Sequence, residues 1–395
     1  MRRAGLLSLL ALTACASQTG APGRTTADGV RVDAPPFVFG VDLSYVNQIL
    51  DHGGVYRDSG RVKDPYTIFA DRGADVVRLR LWHDPSWVRD SIYGPDAPLY
   101  SGLDDVTEAI RRAKATGMAV SLDFHYSDVW ADPGRQDVPA AWRHITDLAT
   151  LADSVHAYTR HVLEHLRARG LSPEYVQVGN ETNCGMLATG TPEGFPDVRT
   201  CDGHWTSQAV LLNAGIRAVR GSAPGARVIL HIAQPENVAN WFRGITSAGV
   251  HDFDIIGFSY YELWSDVPLD RVDEYVRRWR EEFRRQVMIV ETAYPWTLDN
   301  ADAYGNILGA EAVSERFPAT VDGQRAYLSE LVGEVARGGG SGVMYWEPAW
   351  ITSRMRDLWG TGSSWENAAL FDFEGNAHAG FDWMSADRQS LRRGR

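Results

Sequence analysis

Two glutamates at the ends of mainly apolar segments are the residues of this chain best suited to chemistry. Glu181 follows the run Val176–Val178 after Gly-Asn, and Glu291 follows Val287–Val290 directly, 110 residues further on. If both runs are strands of one parallel barrel, their carboxyl ends open at the same mouth and bring the carboxylates together. Two carboxyls about 5–5.5 Å apart can hydrolyse a glycosidic bond with retention, one as acid/base and one as nucleophile. The negative neighbour raises the pKa of the acid and keeps it protonated.

Short runs rich in β-branched residues alternate with longer amphipathic stretches, which predicts an α/β fold. Most runs are apolar throughout, as expected when both faces of a parallel sheet are buried. Eight such strands with intervening helices fit a closed (β/α)8 TIM barrel, and no interior linker interrupts the single domain predicted over residues 35–388. The predicted strands are Phe37–Asp42, Val76–Leu81, Met118–Phe124, Tyr175–Val178, Arg227–Ile232, Asp254–Phe258, Val287–Val290 and Gly342–Tyr345. The predicted helices include Leu103–Thr116, Ile145–Arg169, His204–Ser222, Leu269–Phe283 and Gln324–Arg337.

Polar or aromatic side chains follow nearly every predicted strand, at the end where this fold places its active sites. Besides the two glutamates they are Asp42, Arg78, Arg80, His125, Asn180, Tyr260 and Trp346. Asn180 directly precedes Glu181, where its amide suits a hydrogen bond to a sugar 2-hydroxyl. This distribution supports one active site at the barrel mouth.

These motifs resemble those of glycoside hydrolase clan A, in which the acid/base follows strand four and the nucleophile follows strand seven. More narrowly, the chain is similar to glycoside hydrolase family 53, the endo-β-1,4-galactanases, over nearly everything from Phe39 to Asp382. The resemblance is carried by Phe39-Gly-Val-Asp-Leu-Ser-Tyr45, Val77-Arg-Leu-Arg-Leu-Trp82, Asp123-Phe-His-Tyr-Ser-Asp-Val-Trp-Ala-Asp-Pro133, Gly179-Asn-Glu181, Ile256-Gly-Phe-Ser-Tyr-Tyr261, Glu291-Thr-Ala-Tyr-Pro295, Tyr345-Trp-Glu-Pro348 and Ser363-Ser-Trp-Glu-Asn367. It implies an endo-acting enzyme that hydrolyses β-1,4-galactosidic bonds in galactan or arabinogalactan with retention and without a catalytic cofactor.

Matched position by position, the resemblance implies Glu181 as acid/base and Glu291 as nucleophile. Arg78 and Tyr260 would hold the nucleophile ionised, and Trp346 would form the floor of the sugar pocket. The other implied or candidate substrate-binding residues are Asp42, His125, Asp128, Trp130, Asn180 and Trp264, with Trp82 as either a stacking or a core residue.

Two departures from the family pattern concern specificity rather than chemistry. Thr182-Asn183-Cys184-Gly185 follows the acid/base in place of Ile-Thr-Asn-Gly, and His83 stands where asparagine is expected. The alternatives are the same mechanism acting on mannan, xylan or cellulose, and a non-catalytic glycan-binding lipoprotein. A galactose-specific site must accept an axial O4, and no single residue decides that choice.

The overall charge restricts the class of partner. The chain has 395 residues, 14 tryptophans and a formal net charge of −12. That charge argues against nucleic acid, whose phosphates would be repelled, and disfavours a strongly anionic polymer. A neutral polysaccharide and a monomeric protein are the expectation.

The first residues predict export. Arg2 and Arg3 precede an apolar run that ends in Leu12-Thr13-Ala14-Cys15, far shorter than the roughly 20 residues of a membrane-spanning helix. The ending resembles a bacterial lipoprotein box, which implies a signal peptide over residues 1–15, a lipid on Cys15 and membrane contact through that lipid alone. An ordinary signal peptide cut a few residues later is the alternative. Residues 16–34 predict a flexible tether, and residues 389–395 form a basic tail.

Cys184 and Cys201 flank a segment rich in glycine, proline and threonine. In an oxidising compartment they predict a disulfide that closes this loop and stabilises the fold by about 3 kcal/mol. Two free buried thiols are the alternative.

The resemblance also implies a structural calcium ion between the loops after strands seven and eight. Its candidate ligands are Asn300, Asp302, Asn306, Ser363 and Glu366, and Tyr304 stands where the family usually has histidine. Alternating oxygen-bearing side chains suit a hard cation. A polar loop without an ion is the alternative.

His161-Val-Leu-Glu164-His165 spells an inverted zinc-peptidase motif. At 100° per residue both histidines lie opposite the apolar stripe of their helix, on its solvent face. A catalytic zinc also needs a third ligand and a cleft, so we expect no zinc site here.

Overall fold

The computed structural model describes residues 37–385 and Leu391, and it confirms the closed parallel (β/α)8 barrel. The predicted signal peptide with Cys15, the tether and all of the tail except Leu391 lie outside the described residues. We number the barrel strands β1–β8; each agrees with its predicted bounds to within one residue. They are β1 Val38–Asp42, β2 Val76–Leu81, β3 Ala119–Phe124, β4 Tyr175–Val178, β5 Arg227–Ala233, β6 Ile255–Ser259, β7 Gln286–Glu291 and β8 Gly342–Tyr345.

The strands are apolar on both faces because each face has its own core. One face packs against the surrounding helices, and residues of the other face, including Val76, Ile229 and Met344, form a second buried cluster. Side chains two residues further along a strand point the same way. Arg78, His231 and Trp346 stand two positions after those three residues, so the inner core lies directly beneath the polar groups of the barrel mouth.

Eight α-helices accompany the strands within the described residues, and the helix ends follow their caps. The helix predicted from Ile145 begins at Leu148 because the Asp147 side chain caps it, accepting from the Thr150 N–H at 2.9 Å. Thr320 caps the last helix, which starts before the predicted Gln324. No helix of the described chain is both long and apolar enough to span a membrane. The helices are α1 Val46–Asp51, α2 Pro65–Asp71, α3 Leu103–Ala115, α4 Leu148–Arg167, α5 Trp205–Ser222, α6 Pro235–Ser247, α7 Val272–Phe283 and α8 Val321–Arg337.

Candidate active site

A cavity of about 860 Å³ opens at the carboxyl ends of the strands and contains both predicted catalytic glutamates. Its polar side is dominated by carboxylates, arginines and amides, and its apolar side by tryptophans. The predicted residues that line it are Asp42, Arg78, Arg80, His125, Trp130, Asn180, Glu181, Trp264, Glu291 and Trp346. The barrel thus brings together residues spread over more than 300 positions of the chain.

Glu181 and Glu291 come close together although they stand on separate strands. Glu291 is the last residue of β7, and Glu181 lies three residues beyond β4. An oxygen of one carboxyl lies within 4.8 Å of an oxygen of the other. That separation suits direct nucleophilic attack and leaves no room for the intervening water of an inverting enzyme, whose carboxyls stand about 6.5–9.5 Å apart.

The backbone at Glu181 is strained. Its φ is +44°, in the left-handed region that side chains other than glycine rarely adopt, and Gly179 before it has φ +84°. Such a conformation costs on the order of 1–3 kcal/mol and persists where the surrounding structure enforces it. Here it turns the chain sharply at the end of β4, so that the Glu181 side chain enters the cavity.

Arg78 is the electrostatic centre of the site. Its buried guanidinium contacts Asp42 at 2.9 Å, Asp123 at 2.7 Å and Glu291 at 2.8 Å. Burial opposes its charge, but the surrounding carboxylates outweigh that cost and raise its pKa. Arg78 also donates to Asn180 Oδ1 at 2.7 Å. It therefore holds Glu291 in place and favours the ionised form of the carboxyl that it touches.

The carboxyls of Glu181 and Glu291 share one environment but differ in their partners. Burial raises the pKa of Glu181 to about 7. Burial and the neighbouring Glu181 carboxyl raise the pKa of Glu291 as well. The Arg78 guanidinium opposes the shift at Glu291, which it contacts directly. The pair therefore retains one proton in the neutral range, and Arg78 localises the negative charge on Glu291, leaving the proton on Glu181.

Asn180 is held at both ends of its amide. Its Nδ2 donates to the Ala131 carbonyl at 2.8 Å, while its Oδ1 accepts from Arg78 and Gln177. Asn180 lines the cavity, so its fixed amide lies where a sugar-binding residue was predicted.

Tyr261 contacts Glu291, and the prediction of Tyr260 for this role is wrong. The Tyr261 hydroxyl donates to Glu291 Oε2 at 3.4 Å, whereas Tyr260 donates to the Val267 carbonyl at 3.0 Å. Side chains alternate along extended backbone. Ser259 at the end of β6 points into the barrel, so Tyr261 shares its side and Tyr260 points away. This alternation was the signal that could have identified Tyr261.

Asp128 does not line the cavity, so its predicted place in the substrate groove is a second correction. Its carboxylate accepts instead from the backbone N–H groups of Asp84 and Ala140, at 3.0 and 2.7 Å. The Asp128 carboxylate thus connects the loop after β2 to the loop after β3. Backbone N–H groups form strong hydrogen bonds to a carboxylate. Asp132, four residues on, lines the cavity in its place.

His125 supports the site from β3. Its Nε2 lies 3.1 Å from Asp123 Oδ2, and its Nδ1 accepts from the Ala131 N–H at 3.1 Å. Burial lowers the pKa of the ring, so it is neutral and donates from Nε2 to Asp123. It thereby fixes both Asp123 and the start of the loop that carries Ala131.

The tryptophans divide between core and cavity. Trp82 is buried and belongs to the core, where its ring lies 5.6 Å from that of Trp130. Trp130 and Trp346 line the cavity with their ring centres 5.6 Å apart. Trp264 also lines the cavity and is 48% exposed, so part of its ring is available for stacking. Sequence reasoning missed further lining residues, among them Asp132, Arg135, Gln234, Tyr261, Trp350, Trp359 and Trp365.

The predicted disulfide between Cys184 and Cys201 is present, with the two Cα atoms 4.9 Å apart. It closes the loop that starts directly after Glu181. Asn183 joins this loop to β5 by accepting from Ala233 N–H at 2.9 Å and donating to Ala233 O at 3.0 Å. The disulfide therefore stabilises the segment that follows the strained Glu181.

The side chains of the zinc-peptidase motif on α4 lie apart from the cavity and have other surroundings. His161 is exposed, Glu164 pairs with Arg160 at 3.8 Å, and His165 lies 3.2 Å from the Thr107 hydroxyl. Within the described residues, the one cluster of three acidic or histidine side chains with metal-binding spacing is Glu181, His231 and Glu291. The Glu291 carboxyl is engaged by Arg78, the Glu181 carboxyl by Ser259, and the His231 ring by Ser259 and Gln177.

Comparison with known proteins agrees with this geometry. The model of Glycosyl hydrolase family 53 matches residues 38–384. A Cellvibrio japonicus protein named arabinogalactan endo-beta-1,4-galactanase is 46% identical, over 91% of this chain and 93% of the relative. A Bacillus subtilis endo-beta-1,4-galactanase is 33% identical, over 90% of this chain and 82% of the relative. The solved Ignisphaera aggregans GH53 catalytic domain superposes with a TM-score of 0.79 and 32% identity, over 92% of this chain and 99% of that domain. The chain belongs to glycosyl hydrolase family 53.

Proposed function

We propose that this enzyme hydrolyses internal β-1,4-galactosidic bonds of galactan or arabinogalactan with retention of configuration. The observation that carries the proposal is the pair of buried carboxyls within 4.8 Å of each other, one of them bound to Arg78. Their separation supports double displacement. The names of the similar Cellvibrio and Bacillus proteins support galactan as the substrate.

In the first step Glu291 attacks the anomeric carbon while Glu181 gives its proton to the leaving oxygen. The carbon–oxygen bond breaks, and a glycosyl ester forms on Glu291. In the second step Glu181 takes a proton from water, whose oxygen attacks the same carbon and releases the sugar. Arg78 prepares the first step by keeping Glu291 anionic, and it stabilises the carboxylate that leaves in the second.

The cavity is suited to a neutral sugar chain. Sugar rings have apolar C–H faces that pack on aromatic rings, and Trp130, Trp264 and Trp346 line the cavity together with hydrogen-bonding amides and carboxylates. The net charge of −12 disfavours a polyanionic substrate. These features suit a neutral β-glycan, and galactan among them is favoured by the named relatives.

The substrate is tested with protein that begins after Cys15, by reducing-sugar release from unbranched β-1,4-galactan, β-mannan, xylan and carboxymethyl-cellulose. We expect cleavage of galactan alone, into short oligomers. Cleavage of another glycan instead would keep the mechanism and overturn the specificity. If galactan binds and no glycan is cut, the protein is a binding lipoprotein rather than an enzyme.

The dependence of kcat/KM on pH is expected to be bell-shaped. Glu181 must be protonated, and since burial raises its pKa to about 7, activity falls as the pH rises through that value. Glu291 must be ionised, so activity also falls at acid pH. The wild-type profile is measured on a soluble galacto-oligosaccharide. The profile of Glu181→Gln is measured on an aryl substrate with a good leaving group, and its alkaline limb should be absent. A flat wild-type profile would contradict the assignment.

We also propose that a calcium ion joins the loops after β7 and β8. Glu366 Oε2 is buried without a hydrogen-bond partner among the described residues, and burial, aided by Asp302, raises the pKa of Glu366 to about 7. Adjacent carboxylates with an unpaired oxygen fit a hard cation. Asn300 and Asn306 instead hydrogen-bond each other at 2.7 Å, and the Ser363 hydroxyl donates to Trp350 O.

Asp302 and Glu366 would therefore hold the ion, and its effect would be structural. Calcium at a hundredfold excess over its Kd should stabilise the fold by about 2.7 kcal/mol. The melting temperature of chelator-treated protein, with and without added calcium, measures this. Asp302→Ala should abolish the response, and an unresponsive wild type would remove calcium from the proposal.

We further infer export as a lipoprotein that acts as a monomer. The basic start, the short apolar run and Leu12-Thr13-Ala14-Cys15 support lipid attachment at Cys15. Mass spectrometry of the mature protein should find a lipid on Cys15, while an unmodified later N-terminus would indicate ordinary secretion. Light scattering of the protein without residues 1–15 measures its oligomeric state.

A further inference from the structure

The carboxyl of the acid/base has a single hydrogen-bond partner among the described residues. Ser259 Oγ lies 2.5 Å from Glu181 Oε1. Glu181 itself stands beyond the end of β4 on a strained turn, so its side chain is not oriented by strand geometry. A carboxyl on such a turn could rotate about its last torsion unless a fixed group holds one oxygen.

Ser259 is a fixed group. It is the last residue of β6, its side chain is fully buried, and its backbone pairs with Ala233 of β5 and with Glu291 of β7. The register of β6 against β7 shifts between Phe258 and Ser259. The strand therefore delivers the serine hydroxyl to Glu181 at the same point where β7 ends in the nucleophile.

His231 holds the serine hydroxyl in turn. Its Nδ1 accepts from Gln177 Nε2 at 3.0 Å and from the Glu181 N–H at 3.4 Å, so its Nε2 bears the proton and donates to Ser259 Oγ at 2.9 Å. Because both ring nitrogens have partners, the fully buried ring is held in one orientation. Burial lowers its pKa well below the ordinary histidine range, so the ring is neutral and adds no charge to the site.

We propose that Ser259, held by His231, is the positioning residue that fixes the rotation of the Glu181 carboxyl. The inference rests on the proposed function, in which Glu181 is the acid/base. With Oε1 bound to Ser259, Oε2 is the oxygen that faces the substrate and carries the acid proton. Ser259 transfers no proton: the Oε2 proton passes to the glycosidic oxygen as its bond to the anomeric carbon breaks.

The hydrogen bond from Ser259 should also affect the pKa of Glu181. Burial raises the pKa of Glu181 and the hydrogen bond from Ser259 lowers it, so loss of the hydroxyl should raise it further. Several other charged groups act on this pair and are unchanged by substitution of the serine. Those facing Glu181 are Asp132, Arg78, Asp123 and Glu291, and those facing His231 are Arg78, Asp123 and His125.

The test compares Ser259→Ala with two aryl β-1,4-galactobiosides, one with a leaving group of low pKa and one of high pKa. A good leaving group needs no protonation. A misplaced acid therefore lowers only the rate on the substrate with the poor leaving group, here by about tenfold to a hundredfold. The alkaline limb of kcat/KM should also move to higher pH. Ser259→Thr, which keeps the hydroxyl, should restore much of the lost rate.

Ser121→Ala is the matched control. Ser121 is a fully buried barrel serine on β3 whose hydroxyl has no hydrogen-bond partner among the described residues. It should leave both rates and the pH profile unchanged. An equal loss on both leaving groups in Ser259→Ala, or no loss on either, would overturn the positioning role.

Two further variants keep the result interpretable. His231→Asn removes the ring nitrogen that holds the serine and should show the same leaving-group split, even if Ser259→Ala folds poorly. Glu181→Gln should show the largest split. If Glu181→Gln shows none, the acid/base assignment fails. If it shows the split while both Ser259→Ala and His231→Asn lack it, only the positioning role fails.

Discussion

Glu291→Ala is expected to lower kcat on β-1,4-galactan by a factor on the order of 10⁴ to 10⁶, the scale seen when a covalent nucleophile is removed. Glu291 is 6% exposed, is ion-paired with Arg78, and has a carboxyl oxygen within 4.8 Å of one of Glu181. The substitution removes a buried carboxylate without disturbing the barrel core. Binding of galacto-oligosaccharides should therefore survive, as calorimetry would measure.

Azide distinguishes the two carboxyls in this experiment. In Glu291→Ala, azide enters from the vacated side and yields an α-galactosyl azide from an aryl galactobioside with a good leaving group. In Glu181→Ala the glycosyl-enzyme still forms, and azide releases it as the β-azide. Products with the configurations exchanged would reverse the assignment of acid/base and nucleophile. Substantial residual turnover in Glu291→Ala without azide would remove it from the mechanism.

Arg78→Met is expected to lower the free energy of unfolding by about 3–5 kcal/mol, besides abolishing activity. The substitution leaves Asp42, Asp123 and Glu291 buried without their common cation. Arg78 lowers the pKa values of Asp123 and Glu291 because it stabilises their ionised forms. This stabilisation of the carboxylates is lost in the variant. Because these carboxyls are protonated in both states at low pH, the deficit should shrink as the pH falls. Denaturant unfolding at several pH values measures it.

Three further variants test whether the loss of stability comes from the ion pairs of Arg78. Arg78→Lys keeps the charge but loses the fork that reaches several carboxylates, so it should fall between wild type and Arg78→Met. Adding Glu291→Gln to Arg78→Met should recover part of the stability, since one unpaired carboxylate is removed. Arg220→Met breaks a more exposed pair of contacts, to Asp252 and Asp254, and should cost less than about 1 kcal/mol. A loss in Arg78→Met no larger than in Arg220→Met would contradict the central role of Arg78.

The strand order and the position of both glutamates at the barrel mouth were accessible from the sequence because they depend on local pattern. Strands buried on both faces are apolar throughout, and each was located to within one residue of its observed bounds. In a parallel barrel every strand ends at the same mouth, so a glutamate that terminates a strand lies in the site whatever the details of packing. The same reasoning placed Arg78 and Trp346 correctly. The disulfide was predicted from two cysteines and the expected oxidising compartment, and it is present.

The partner of each side chain in the site depended on tertiary structure. Tyr260 and Tyr261 are adjacent and chemically identical, and only the inward direction of Ser259 at the strand end decides which phenol reaches Glu291. Asp128 and Asp132 lie in one loop, whose fold turns the first onto backbone N–H groups and the second into the cavity.

Nothing in the sequence indicated a role for His231, and Ser259 stood out only as part of the motif Ile256–Tyr261, because a serine and a histidine in apolar strands are ordinary core residues. Their roles come from the register of β5, β6 and β7, which sets Ser259 beside Glu181. Local pattern thus identified the strands and the two glutamates that face each other across the barrel mouth. The barrel closure decided their hydrogen-bond partners, since a hydrogen bond requires about 3 Å between atoms that the chain separates by tens of residues.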